Sequence, residues 1–193
     1  MGRAPGYAGG DMSLSLVPPR RTLEATVTFL EMFRRPEGPR REPPAALGKI
    51  ALLRAENPTV RFYRFLYEGV GKAYHWVERR RMSDAELGRI VQDPRIEILV
   101  AYVNGVPAGY VEVDARRAPK AVDIAYFGLM PEFIGKRLGD WLLRAGLDQA
   151  WSKNPERVTV NTNTLDHPRA LPLYQRHGFV PYDRRQMFIE PMP

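Results

Sequence analysis

Two apolar runs, Ile96–Val103 and Pro107–Val113, are separated by Asn104-Gly105. Asn-Gly tolerates positive φ at both positions of a two-residue turn, so the pair predicts a tight antiparallel hairpin. After the basic loop Arg116–Lys120, a third run, Val122–Met130, extends the meander until Pro131 stops it. Apolar residues then recur at helical spacing from about Gly135 to Trp151. Leu138, Leu142 and Ala145 mark one face, with Leu143, Leu147 and Ala150 beside it. A further strand is predicted at Val158–Asn161, and a helix at Pro168–Arg176 that Gly178 ends. Phe179–Pro181 and Met187–Ile189 are candidate final strands.

Upstream, Leu23, Ala25, Val27 and Phe29 alternate with polar residues, the period of a half-buried strand. Arg34 to Pro44 is a charged, proline-broken loop, and Lys49–Ala55 a short apolar run. Pro58 suits a helix start, and Val60, Tyr63, Tyr67 and Val70 recur at helical spacing as far as Gly69–Gly71. Ser83-Asp84-Ala85-Glu86 reads as a capping box opening a helix to about Val91. Strands and helices in this mixed order predict an α/β or α+β sheet with helices on both faces.

The chain has 193 residues and no cysteine, which excludes disulfides, thiolate metal sites and cysteine nucleophiles. His75, His167 and His177 lack metal-ligand spacing, so no metal is expected. No run approaches the roughly 20 apolar residues of a membrane span. Residues 1–20 are expected to form a disordered tail, residues 21–193 a single domain, and the protein to be cytoplasmic. The formal charge of +7 attracts anions without saying which. Arg79-Arg80-Arg81 and Arg116-Arg117 read as solvated faces rather than a nucleic-acid footprint. The rings of Phe62, Tyr63, Phe65, Tyr67, Tyr74 and Trp76 read mostly as core.

The segment with chemistry in it is Ala125–Gly139, a strand entering a loop with Gly135 and Gly139 and then a helix. A helix start offers free N–H groups and a positive dipole end, glycine lets a ligand approach the backbone, and Lys136 and Arg137 add cations. On physics alone this is an anion site or an ordinary turn. The run has neither a Walker pattern nor G-x-G-x-x-G after an N-terminal strand.

Tyr126-Phe127-Gly128-Leu129-Met130-Pro131-Glu132-Phe133-Ile134-Gly135-Lys136-Arg137-Leu138-Gly139 with Leu142-Leu143 resembles the cofactor motif of the GNAT N-acetyltransferase superfamily. Ala170-Leu171-Pro172-Leu173-Tyr174 with Gly178-Phe179 resembles that family's closing motif. The resemblance runs from about Ile98 to Phe179, reaches back more weakly to Lys49, and does not cover residues 1–45. It implies a mixed, mostly antiparallel sheet of six to seven strands, splayed between the fourth and fifth core strands. It also implies acetyl-CoA as co-substrate and an N-acetyltransferase acting by direct attack in a ternary complex.

The family loop pattern is Q/R-x-x-G-x-G/A. Here Ile134 stands where Arg or Gln is usual and Arg137 where the central glycine is usual, and a helical, negative-φ backbone at 137 would accept the change. By resemblance, Leu129, Met130, Ile134, Gly135, Lys136, Arg137, Leu138 and Gly139 hold the cofactor, joined by Asn161, Asn163 and His167. His167 is equally a capping or packing residue. Gly128 suits a bulge or a close backbone approach, and a bulge there would open the cleft. An N–H near Leu129 would face the oxyanion, and Tyr174 would act as general acid. Asp123 first and Glu112 second are the candidate bases. A small-molecule or peptide amine is the expected acceptor and no membrane or nucleic-acid partner is expected, for a monomer or homodimer. Two readings of other classes stay open: a non-catalytic CoA-binding module, and a basic nucleic-acid-associated protein using the same fold.

Overall fold

The computed structural model describes residues 22–38 and 42–192. The expected tail at residues 1–20 lies outside them. Seven strands form one sheet: β1 (Leu23–Met32), β2 (Ile50–Arg54), β3 (Ile96–Val103), β4 (Val106–Asp114), β5 (Val122–Leu129), β6 (Val158–Asn163) and β7 (Val180–Ile189). Their order is β2-β3-β4-β5-β6-β1-β7. Every pair is antiparallel except β5–β6, so the sheet is mixed and mostly antiparallel.

The Asn-Gly hairpin forms as its sequence dictates. Asn104 and Gly105 take φ of 51° and 84°. The Asn104 side chain also ties the turn to the chain entering β2, accepting from Lys49 N at 2.9 Å and donating to Leu47 O at 3.1 Å. The final apolar pieces, which the sequence breaks into two, are one ten-residue strand, β7, held along its length by β1. The first strand of the chain therefore lies between β6 and β7, a placement no local pattern announces.

Helices cover both faces. On one lie α1 (Val60–Gly71), the four-residue α2 (Glu78–Arg81) and α3 (Asp84–Val91). Their apolar side chains, including Tyr63, Leu66, Tyr67, Val70 and Leu87, pack on Ile96, Ile98, Val100 and Tyr110. Thr59 caps α1 through Phe62 N, and the Ser83–Glu86 capping box opens α3 as expected. The other face is covered by α4 (Leu138–Trp151), whose Leu138, Leu142, Leu143 and Leu147 pack on Val111, Val113, Val122, Ile124 and Val160. The last helix, α5 (Ala170–Arg176), adds Leu173 and Tyr174 to that core.

Candidate active site

The cleft begins at a bulge. Glu112 faces Tyr126 while Val113 faces Ile124, so Ala125 is an extra residue in β5. The expected bulge at Gly128 is thus displaced three residues towards the strand's start. Gly128 serves close approach instead: a Cβ there would lie 2.3 Å from Val70 Cγ1 of α1. The extra residue resets the alternation of β5. Val122 and Ile124 face the α4 side, and so do Phe127 and Leu129. Parallel pairing with β6 ends at the same place, with Ile124 opposite Val160 as the last register pair. Beyond it the fourth and fifth strands in spatial order diverge.

The opening is a cleft of about 420 Å³. One wall carries Ala125, Tyr126, Phe127, Gly128 and Leu129, and the opposite wall Asn161 and Asn163. Met130 N donates to Ala108 O of the neighbouring strand at 2.9 Å. Because successive strand amides point to opposite edges, the Leu129 N–H is turned away from β4, toward the diverging β6. Met130 itself is buried against α1 and does not line the cleft.

The loop from β5 to α4 lines the cleft at Ile134, Gly135 and Arg137, and the first turn of α4 lines it at Gly139. Gly135 takes φ of 80°. Arg137, the N-cap of α4, takes φ of 61° and ψ of 14°. This corrects the expectation of helical backbone at 137: the position is left-handed, which is why glycine suits it, and a side chain there costs about 1–2 kcal/mol. No side chain caps α4, so its first N–H groups face the cleft mouth. Comparing Arg137→Gly with Arg137→Ala isolates the strain, since both remove the cation. The glycine variant should be more stable by ~1 kcal/mol in urea unfolding.

Lys136 and Leu138 do not line the cleft. The Lys136 ammonium lies over the Phe133 ring at 5.3 Å, and Leu138 is core. Cations at the mouth come instead from Arg137, Arg169 and Arg176. His167 lines the cleft and its Nδ1 accepts from Arg169 N at 3.1 Å, so this histidine orders the turn into α5. Tyr174 lines the cleft with its ring edge-on to Phe127 and Phe179. Burial, reinforced by the Asp166 charge, pushes its phenol well above the ordinary value.

Neither expected base reaches the cleft. Asp123 sits where β5 and β6 are still paired, accepting from Thr159 Oγ1 at 2.5 Å with the Arg117 guanidinium at 3.4 Å. Glu112 is fully buried beneath α1, ion-paired with Arg79 at 2.7 Å and accepting from the Tyr63 hydroxyl. Burial raises its pKa, opposed by Arg79 and Tyr63. Arg79 is consequently no solvated charge but a buried one, while Phe65, assigned to the core with the other rings, is exposed.

The carboxylates that do line the cleft are Glu78, Asp140 and Asp166. Asp140 faces Arg176 and His177. Glu78, at the start of α2, accepts from the Tyr67 hydroxyl at 3.0 Å. Asp166 accepts from Trp76 Nε1 at 3.0 Å, Thr162 Oγ1 at 2.8 Å and Asn163 N at 2.9 Å. The Trp76 bond joins the α1–α2 connection to the β6–α5 loop across the cleft. Nothing in the local sequence marks Glu78 or Asp166, since a lone acid beside a basic run and an acid in a turn are both commonplace.

The chain belongs to the acetyltransferase (GNAT) family, whose pattern matches residues 54–179. Acyl transfer is the chemistry of that family. No curated protein matches it in sequence. Among solved structures it is similar to a GCN5-related N-acetyltransferase from Sphaerobacter thermophilus, at 17% identity and a TM-score of 0.61 over 89% of this chain and 53% of that one. It is also similar to a tandem GNAT protein from the clavulanic acid biosynthesis pathway, at 21% identity and a TM-score of 0.56 over 88% of this chain and 55% of that one. An aminoglycoside acetyltransferase from an uncultured soil metagenomic sample matches at 14% identity and a TM-score of 0.54, over 67% of this chain and 87% of that one. At these identities the likeness is one of fold, and the chain spans little more than half the length of the first two. Among the described residues no helix is long and apolar enough to cross a membrane, and no group of acids and histidines could hold a metal ion.

Proposed function

We propose that the protein transfers an acetyl group from acetyl-CoA to a primary amine by direct attack in a ternary complex. The observation that carries the reading is the cleft itself. It joins an uncapped helix start, a strand amide turned to the opening and a buried tyrosine. Acetyl-CoA fits these residues. The first amides of α4 and the Arg137, Arg169 and Arg176 cations would hold phosphates, and the diverging strands would admit the pantetheine arm. Asn161 and Asn163 would line that arm's other side.

The Leu129 N–H would stabilise the oxyanion as the amine nitrogen bonds to the carbonyl carbon. Tyr174 would act as the general acid, its O–H hydrogen-bonded to sulfur as the C–S bond breaks and the thiolate leaves. The proton lost by the amine would pass to Glu78, a cleft carboxylate whose hydrogen-bond partner among the described residues is the neutral Tyr67 hydroxyl. No covalent enzyme intermediate is needed.

Acetyl-CoA at about a hundred times its Kd should stabilise the native state by roughly 2.7 kcal/mol and raise Tm by several degrees. Thiol release should then appear on adding an amine. Absence of any Tm shift at millimolar acetyl-CoA would rule out transfer from this co-substrate.

A further inference from the structure

The end of the cleft away from α4 has its own chemistry. Tyr74, Trp76 and Tyr126 line it as rings, with the carboxylates of Glu78 and Asp166 beside them. The Trp76 ring lies 5.4 Å from Tyr67 and 5.3 Å from Tyr126, and Tyr67 lies 5.0 Å from Tyr126. Each acid is fixed by one of these rings: Tyr67 donates to Glu78, and Trp76 donates to Asp166. The two carboxylates thus flank a contiguous aromatic wall.

Among the described residues every hydrogen-bond partner of the two acids is a neutral donor, and neither acid is ion-paired. Glu78 is exposed and Asp166 half-buried, whereas most of the chain's remaining buried or half-buried acids are treated differently. Glu31, Glu97, Glu112, Asp114, Asp123 and Asp148 each face an arginine or lysine. A protein with seven more cations than acids leaves these two negative charges facing an open, ring-lined cavity. Aromatic faces attract cations and repel anions, and carboxylates in a partly desolvated cleft do so more strongly. The wall suits a methylene chain, and the volume of about 420 Å³, shared with the thioester end, favours a slender acceptor.

We infer that the acceptor is a small linear di- or polyamine. Its reacting nitrogen lies at Glu78, and its second ammonium is held by the Trp76 ring and Asp166. This rests on the acetyl-transfer reading above and specifies its acceptor.

Three amines of similar length separate the charge from everything else: 1,4-diaminobutane, butylamine and 4-aminobutanoate. With the full chain and saturating acetyl-CoA, thiol release should show kcat/KM for the diamine about tenfold or more above butylamine, the scale of a desolvated cation–π contact with a carboxylate. The aminobutanoate should be the poorest. Raising the salt concentration should narrow the gap, because it rests on charge. Asp166→Asn should bring the diamine-to-butylamine ratio toward one. The ratio is the readout because any loosening of the β6–α5 loop acts on both amines.

Equal or better turnover of butylamine or 4-aminobutanoate would overturn this inference and leave acetyl transfer standing. A diamine preference that survives Asp166→Asn unchanged would overturn the assignment of the second ammonium. No turnover of any amine, despite a Tm shift with acetyl-CoA, would overturn transfer and acceptor together.

Discussion

Arg79→Met is expected to cost about 3–5 kcal/mol in chemical unfolding, the largest single-residue loss of stability foreseen in this protein. The reason lies across α2 and β4. The Arg79 guanidinium meets Glu112 at 2.7 Å, with side-chain exposures of 7% and 0%. It also lies over the Tyr126 ring at 5.2 Å. Removing it leaves a carboxylate with no solvent and, among the described residues, only the Tyr63 hydroxyl as donor. The pair as a whole need not add stability, because taking both charges out of water costs about as much as their attraction returns. Arg79→Met combined with Glu112→Leu should therefore recover most of the loss. A double variant no more stable than the single one would show that packing, not the orphaned charge, sets the penalty.

The same pair explains how a four-residue helix presents a functional carboxylate. So short a helix has little stability of its own. It is held from outside: Arg64 donates to Arg79 O at 3.1 Å and to Met82 O at 2.7 Å, and Arg79 anchors it to the sheet. Glu78, one residue before that anchor, is set facing the cleft. Arg79→Met should consequently impair turnover even where the variant remains folded.

Much of this architecture is legible in the sequence because its signals are local. The Asn104-Gly105 turn, the Ser83 capping box and the apolar period of α4 each act within a few residues, and each forms where expected. What was not legible depends on partners distant in the chain. Whether Arg79 is solvated or buried depends on Glu112, 33 positions away. The position of the β5 bulge follows from pairing with β4, which the glycine at position 128 does not reveal. The left-handed backbone at Arg137 was hidden because the glycine that would mark it is absent. The acids follow the same rule. Asp123 and Glu112 lie on strands near the expected cofactor segment, but alternation and the bulge direct them elsewhere. Glu78 reaches the cleft from the start of α2 and Asp166 from the β6–α5 loop, segments that the tertiary fold brings together.

Tyr174→Phe should lower kcat by about a hundredfold and leave both stability and the acetyl-CoA Tm shift nearly unchanged. The ring makes edge contacts with Phe127 at 6.2 Å and Phe179 at 5.9 Å, and phenylalanine keeps them. Tyr174 lines the cleft, so deleting its hydroxyl should cost no more than about 1 kcal/mol. A positioned general acid contributes roughly 10²–10⁴-fold, and the chemistry here points to the lower end. A thiol has a pKa near 8.5, whereas burial and the Asp166 charge hold the Tyr174 phenol above its ordinary 10. The leaving thiolate is thus the weaker base, and the phenol helps mainly through a hydrogen bond that strengthens as sulfur gains charge. The same elevation fixes the pH behaviour. The phenol stays protonated through pH 10, so its ionisation should produce no alkaline fall in kcat below that value. A fall near pH 8 that Tyr174→Phe abolishes would contradict this, and loss of the acetyl-CoA Tm shift in the variant would place the tyrosine in cofactor binding instead.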